Sequence, residues 1–235
     1  MTKLVPQLPA LNERILLLEL SHRIDNEFAS AINLVSVAAV RTDNAEVKTA
    51  LSNVVELLHR HADVHRALKM PDRDAVMDAA KYLQTLCRSM SRSKLVGVGI
   101  KLVLAADPVW LHSARCWHLG MIVYELVTNA ARHAFFEGRD GEVLVELAPE
   151  SGVAKCKVSD NGAAPNGVRA GRGLKIVGHL AKSLGGQVDH SFGTNGSLFT
   201  VALPFVGREK RANRSRRAAY RVGPERAGDL HHAQQ

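Results

Sequence analysis

The chain has 235 residues, 46% of them hydrophobic and 23% charged, which is enough for one large folded domain or two small ones. Its net charge is +8, but the segment from Gly207 onward holds eight Lys/Arg and three Asp/Glu, so the remaining body is close to neutral. No apolar run approaches the roughly 20 residues that span a bilayer, and the amino-terminal residues do not read as a signal peptide. We therefore expect a soluble, cytoplasmic protein without a membrane partner.

Three cysteines, Cys87, Cys116 and Cys156, stand far apart in the sequence. They form no C-x-x-C pair, and an odd number cannot close a complete set of disulfides. We predict buried free thiols in a reducing compartment.

The first 70 residues predict two long helices. Apolar residues recur at three- and four-residue steps from Ala10 to about Val40 and again from Ala45 to about Leu68, with capping residues between them at 42–44. A helical hairpin alone leaves its apolar stripe uncovered, so pairing with a second copy into a four-helix bundle is expected. Residues 10–70 are thus predicted to form a homodimerisation hairpin.

Residues 71–206 mix helical and strand periods, which predicts an α/β sandwich and an α+β chain overall. The predicted helices are Asp74–Ser93, Ala114–Phe135 and Leu174–Leu184, and the predicted strands are Ile100–Ala105, Glu142–Ala148, Val153–Ser159, Gln187–Phe192 and Leu198–Pro204. Residues 207–235 have little hydrophobic periodicity and many arginines, so we expect a disordered basic tail.

Polar residues recur on one face of the helix predicted at 114–135. Glu125, Asn129 and His133 are spaced i, i+4, i+8, and the side-chain oxygens of Glu125 and Asn129 suit Mg²⁺, a hard cation. Taken alone, this is better explained as a solvated helix face. Asp160 and Gly162 follow a predicted strand, where a carboxylate can accept a hydrogen bond from an adenine amino group and a glycine allows close approach. Taken alone, that segment is a plain turn.

Further glycines complete the pattern. Gly171 and Gly173 precede Leu174 at a predicted helix start, where free amides can bind phosphate, and Gly196 stands three residues before Phe199. In this order and spacing, the four segments resemble the N, G1 and G2 boxes and the closing glycine-strand element of the GHKL ATPases. The stretch Glu125–Phe135 is similar to the N box of histidine kinases that carry the HisKA_2-like dimerisation domain.

The resemblance extends to the first helix, where Ser21–Phe28 is similar to the H box of these kinases. At 100° per residue, His22 lies about 200° from Leu20 and from Ile24, so it points away from the apolar stripe. The resemblance implies that His22 accepts a phosphoryl group. Many histidine kinases place an acid directly after this histidine; here the residue is Arg23, and Glu125 and Asp25 are both candidates for the general base.

The resemblance also implies a function. It implies a Bergerat-type ATP-binding domain and an ATP-dependent histidine kinase that phosphorylates His22 and then an aspartate in a response regulator receiver domain. The cofactors are ATP and Mg²⁺: Asn129 would hold Mg²⁺, Glu125 would orient a water or the histidine, and Asp160 would read adenine. His133, Gly162, Gly171, Gly173, Leu174 and Gly196 complete the implied nucleotide site. No sensor module fits before the first helix, so we expect input from a separate sensor protein.

Two departures from the family pattern bear on nucleotide binding. Ala164 replaces a glycine of the G1 box, and only eight residues separate Gly162 from Gly171, which makes a short lid. A histidine phosphotransfer protein with a degenerate pocket is therefore the main alternative. A GHKL serine kinase acting as an anti-sigma factor lacks the upstream hairpin and ranks lower.

Two other features, a pair of histidines and the basic tail, are explained without a functional site. His61 and His65 are spaced i, i+4, as metal ligands can be, but without an accompanying glutamate they are better explained as polar residues of the helical bundle. The basic tail could bind nucleic acid, but it lacks interleaved aromatics apart from Tyr220, so we expect a solvated segment and no nucleic-acid partner.

Overall fold

A computed structural model describes residues 11–71, 75–135, 141–162 and 172–220. Its helices are α1 (Leu11–Arg41), α2 (Ala45–Ala67), α3 (Ala79–Met90), α4 (Ser113–His133), α5 (Arg172–Ser183) and α6 (Gly207–Tyr220). Its strands are β1 (Val76–Asp78), β2 (Ile100–Ala106), β3 (Trp110–His112), β4 (Gly141–Glu150), β5 (Val153–Asp160), β6 (Gln187–Gly193) and β7 (Gly196–Pro204). A π-helical turn, Ser91–Leu95, and a 3-10 turn, Val96–Val98, connect α3 to β2.

The amino-terminal hairpin of α1 and α2 confirms the two predicted helices. Asn44 ends the turn between them, where its side-chain oxygen accepts hydrogen bonds from the backbone N–H groups of Glu46 and Val47. Such a cap satisfies donors that the first helical turn leaves open. The far end of the hairpin is tied to the rest of the chain, because Trp117 Nε1 on α4 donates to the Leu68 carbonyl at 2.8 Å.

Five strands form one mixed sheet in the order β2-β4-β5-β7-β6. β2 runs parallel to β4, and the other pairs are antiparallel. Alternate residues are buried along β4, β5 and β7, as expected for strands with one covered face. The buried set includes Val143, Val145, Leu147, Ala154, Cys156, Val158, Phe199, Val201 and Leu203. Helices α3, α4 and α5 pack against the sheet, which confirms the α+β architecture of a helical hairpin followed by a mixed sheet with helices.

The three cysteine thiols lie in the hydrophobic core. Cys87, Cys116 and Cys156 are free and buried, as predicted. Burial raises the pKa of each thiol to about 12, because an apolar environment disfavours the thiolate. None of the three is therefore positioned as a nucleophile near neutral pH.

The predicted helix Asp74–Ser93 is partly wrong. Residues 76–78 form a short strand that pairs antiparallel with β3, and α3 begins only at Ala79. Pairing with a segment more than thirty residues away overrides the local helical pattern. Asp78 then caps α3, since its Oδ1 accepts from the N–H of Ala80 at 3.0 Å.

The expected disorder of the tail is also wrong for residues 207–220, which form α6. Glu209 on this helix is fully buried, and its Oε1 lies 3.0 Å from Nε of the buried Arg115. The same carboxylate accepts hydrogen bonds from the N–H groups of His112 and Val206. A buried carboxylate with a cation and two amide donors is well compensated, and it fixes α6 to β3.

Asn213, one turn further along α6, makes the second attachment. Its Oδ1 accepts from the Trp110 N–H at 2.9 Å, and its Nδ2 donates to the Trp110 carbonyl at 2.7 Å. The amide thus pairs with the strand backbone as a neighbouring strand would. Residues 221–235 of the predicted tail lie outside the described residues.

Candidate nucleotide site and phosphoacceptor

The polar face of α4 lies where the sequence predicts it. Leu119, Ile122, Val123, Leu126 and Ala130 are buried on the core side of the helix. Glu125 and Asn129 are half-buried on the other side, and His133 is exposed near the end of α4. The structure therefore brings Glu125 and Asn129 onto one accessible helix face.

The amino end of α5 rests on this face. A Cβ built on Gly173 would lie 2.9 Å from Asn129 Nδ2 and 3.1 Å from Glu125 Oε2. Only glycine fits so close to both side chains without displacing one of them. Leu174, the next residue, is half-buried against the core. The predicted phosphate-binding glycine and the predicted magnesium-binding helix face are thus in contact.

Asp160 lies at the end of β5 with its carboxylate held at both oxygens. Oδ1 accepts from the N–H of Gly162 at 3.0 Å, and Oδ2 accepts from the Ser197 hydroxyl. Two donors hold the carboxylate group in a fixed orientation. Sequence analysis missed Ser197 as a site residue, although it follows Gly196; a hydroxyl that meets a carboxylate 37 positions away has no local signal.

Two glycines allow this corner to close. Gly196 has φ +126, and a Cβ there would overlap the Asp160 carbonyl oxygen. A Cβ on Gly162 would overlap the Ala134 carbonyl, just after α4. The sequence suggested that Gly162 admits a nucleotide ring; the structure adds a packing reason, since Gly162 lets the loop after β5 meet the end of α4.

Gly171 and Ala164 lie in residues 163–171, outside the described residues, so the short lid and the departure at Ala164 stay predictions. Leu174, Gly173, Asn129 and Glu125 gather at the α4–α5 contact, while Asp160, Gly162 and Gly196 gather beside the end of α4. The residues fit a magnesium–nucleotide complex by their chemistry: Asn129 and Glu125 carry side-chain oxygens of the kind that Mg²⁺ prefers, and they lie against the amino end of α5 at Gly173.

His22 is exposed on α1. Asp25, one turn on, is half-buried: its Oδ1 lies 3.2 Å from His65 Nδ1, and its Oδ2 lies 3.8 Å from Lys69 Nζ. The contact with His65 joins α1 to α2, three residues along α1 from the exposed His22. The two contacts also show that Asp25 is engaged by two basic groups.

Two of the histidines of α2 have partners within the chain. His65 contacts Asp25, and His61 Nδ1 lies 3.3 Å from the Ser93 hydroxyl. Within the part of the chain that the structure describes, no group of three or more His, Cys, Asp or Glu side chains could hold a metal ion. In the same part, no helix is long and apolar enough to cross a membrane.

A test of the α4–α5 contact is the substitution Gly173→Ala. The new methyl would lie 2.9 Å from Asn129 Nδ2, so the amide must move away from the position in which it is proposed to hold Mg²⁺. We expect ATP binding about tenfold weaker, measured by calorimetry or fluorescent-nucleotide titration.

Gly178→Ala is the matched control, because it lies in the same helix and its Cβ would meet nothing within 4 Å. Either alanine favours the helix by up to about 1 kcal/mol, so weaker ATP binding by Gly173→Ala cannot come from a loss of helix stability. Equal ATP affinity of the two variants would contradict the placement of Asn129 at the nucleotide.

Two family models match consecutive parts of the chain. Residues 19–94 match the histidine kinase family HisKA_2, and residues 99–197 match the histidine kinase-like ATPase domain family. The chain is 26% identical over 200 residues to blue-light-activated histidine kinase 2 of Erythrobacter litoralis, which covers 80% of this chain and 56% of that protein. It is 29% identical over 181 residues to sensor histidine kinase PdtaS of Mycobacterium tuberculosis, covering 74% and 35%. The chain therefore spans about half, or less, of the length of these relatives.

Solved structures share the fold. A histidine kinase domain from an Erythrobacter litoralis blue-light-activated kinase aligns with TM-score 0.56 and 21% identity, over 79% of this chain and 98% of that one. A bacterial phosphotransferase aligns with TM-score 0.54 and 14% identity, over 84% and 99%. Because the two matched families follow one another from residue 19 to residue 197, with the hairpin in the first and the predicted site residues Glu125, Asn129, Asp160 and Gly173 in the second, the chain belongs to the HisKA_2-type histidine kinases of the GHKL superfamily.

Proposed function

We propose that this chain is an ATP-dependent protein histidine kinase that phosphorylates its own His22 and passes the phosphoryl group to an aspartate of a response regulator receiver domain. The observation that supports it best is the close approach of Gly173 to Asn129 and Glu125. This approach sets the amino end of α5, whose first amides can bind phosphate oxygens, beside side-chain oxygens on α4 that can hold Mg²⁺.

Each site residue has a role in this proposal. Asp160, held in place by hydrogen bonds from Gly162 and Ser197, accepts a hydrogen bond from the adenine amino group. The backbone at the start of α5 presents amides to phosphate oxygens. Asn129 supplies an oxygen ligand for Mg²⁺, and the ion when bound would offset charge on the triphosphate.

The transfer itself forms a nitrogen–phosphorus bond at His22 and breaks the bond between the γ-phosphorus and the oxygen that leaves with ADP. Imidazole can attack near neutral pH because a large part of it is uncharged there. Its ring proton must pass to an acceptor. Glu125 is a candidate because it faces the phosphate position beside Gly173, while Asp25 is already engaged by His65 and Lys69.

The test is incubation of the purified chain with Mg²⁺ and ATP that carries radioactive γ-phosphate. We expect stable protein label that is lost in acid and retained in alkali, because a phosphoramidate hydrolyses in acid whereas a phosphoserine does not. A chain that takes no label from ATP but is loaded by a phosphorylated receiver domain would instead be a histidine phosphotransfer protein. Label that survives acid would point to a serine kinase.

The hairpin supports a homodimer as part of the same proposal. Leu16, Leu20 and Leu34 are 67%, 54% and 69% exposed, and at 100° per residue they fall within about 40° of one another on α1. Apolar side chains aligned on an open helix face favour a partner helix. A second copy of the chain would cover them in a four-helix bundle.

Leu34→Glu should weaken this dimer. Burying one leucine is worth roughly 1.5–3 kcal/mol, and the change occurs in both copies, so the dissociation constant should rise on the order of 100-fold or more. Light scattering coupled to size-exclusion chromatography measures it. Val98→Glu is the control, since Val98 is 55% exposed but lies away from the hairpin; the same loss in both variants, or a wild-type monomer, would contradict the bundle.

A further inference from the structure

Over residues 207–215, where its side chains are described, the outward face of α6 carries basic and small polar side chains. Arg208, Lys210, Arg211 and Arg214 are all exposed. At 100° per residue they fall within an arc of about 160°, and Glu209 and Asn213 lie outside that arc. We call these four side chains the α6 basic face. The helix is thus anchored by one side and open on the other.

Among the described residues, no acidic side chain neutralises the charge of this face. The only acid of α6, Glu209, is buried and faces Arg115. None of the four cations forms an ion pair with any residue in the ranges 11–71, 75–135, 141–162 and 172–220. Unscreened charges of one sign on a single helix attract a polyanion at long range.

Chemistry narrows the choice of polyanion. Between residues 207 and 215 this face presents no apolar side chain, whereas protein interfaces have an apolar core and membrane-surface helices insert an apolar face. It contains no aromatic ring, and proteins that bind single strands stack the bases on such rings. Binding to duplex DNA requires neither an apolar face nor aromatic rings, because the duplex presents about one negative charge per 1.7 Å of its axis. Its major groove also admits an α-helix, which the groove of duplex RNA does not.

We propose that the α6 basic face binds the phosphate backbone of double-stranded DNA without sequence preference. Three of its four cations are arginines, whose planar guanidinium can donate two parallel hydrogen bonds to one phosphate. The attachments of Glu209 and Asn213 hold the helix in place before the DNA arrives. This prior order removes part of the entropy cost that a disordered basic tail would meet on binding.

The DNA surface and the nucleotide site lie at opposite ends of α4. Glu209 is bonded to the backbone of His112, which immediately precedes α4. Asn129 lies 17 residues further on, or about 25 Å at 1.5 Å per residue. Both sites can therefore be occupied at once, and the proposal does not depend on the kinase activity.

The experiment titrates the full chain into a short fluorescein-labelled DNA duplex at several salt concentrations and follows anisotropy. The variant is Lys210→Gln/Arg211→Gln/Arg214→Gln. We expect its affinity to be at least about tenfold weaker than that of the wild type, and the slope of log affinity against log salt to be smaller by roughly 2 to 3, at about 0.9 per lost phosphate contact.

The control is Lys48→Gln/Lys81→Gln/Lys182→Gln, which removes the same charge from exposed positions elsewhere. It should bind the duplex much as the wild type does, and label transfer from ATP should be unchanged in the α6 variant. Failure of the wild type to bind at low salt, or an equal loss in both variants, would overturn the proposal. So would tighter binding to single-stranded RNA, to a polyglutamate chain, or to vesicles of phosphatidylserine and phosphatidylcholine.

Discussion

Replacement of His22 by glutamine should reduce protein label from ATP to background while leaving ATP affinity unchanged. Glutamine keeps a polar side chain of similar reach on the exposed surface of α1, so the fold has no reason to change. It lacks the ring nitrogen that would form the bond to phosphorus. The measurements are filter-bound radioactivity after incubation with labelled ATP, and nucleotide titration of the same sample.

His59→Gln is the matched control, because His59 is also an exposed histidine of the hairpin, on α2. It should label as the wild type does. Asn129→Ala should fail at the earlier step, with loss of both ATP affinity and label. Substantial label on the His22→Gln chain would mean that another residue is the acceptor, and the assignment of His22 would have to be withdrawn.

Glu209→Ala should strongly destabilise the fold. It removes the carboxylate from a buried cluster and leaves the guanidinium of Arg115, itself 5% exposed, without its counter-charge. Removing one partner of a buried ion pair costs about 3–5 kcal/mol. The backbone N–H groups of His112 and Val206 lose their acceptor as well. Urea denaturation should show the loss in the free energy of unfolding.

Lys210→Ala tests the same helix at an exposed neighbour and should change the free energy of unfolding by no more than about 0.5 kcal/mol. A second readout is limited trypsin digestion, in which cleavage within α6 should become faster in Glu209→Ala only. If Glu209→Ala matched Lys210→Ala in both measurements, α6 would not be docked through this carboxylate in solution.

Sequence periodicity was sufficient for the parts of the fold that are stabilised by one buried face. The hairpin and the five strands of the main sheet follow the predicted bounds closely, because their apolar residues alternate with the period of the element. The short strands β1 and β3 have three residues each, too few to show a period. Their pairing depends on a contact between distant segments, which local sequence does not encode.

Helix α6 escaped prediction for a different reason. Its composition is almost wholly polar, so it has no apolar stripe, and it is held instead by the side chains of Glu209 and Asn213. Such anchors look like ordinary surface residues in a sequence. The nucleotide site was recognised because its motifs stand in a known order, yet the role of Ser197 required coordinates, since its hydroxyl meets Asp160 only after β5 and β7 pair.

The fluorescence of Trp117 can be used to follow the contact between the hairpin and α4. The indole N–H is held by the Leu68 carbonyl, the residue that closes α2, and Trp117 shares a rigid rod with Asn129 about 18 Å away. A movement of the hairpin relative to α4 must either break this hydrogen bond or move α4 with the hairpin. Because indole emission depends on its local hydrogen bonding and polarity, a change in Trp117 fluorescence would report a movement of the hairpin relative to α4.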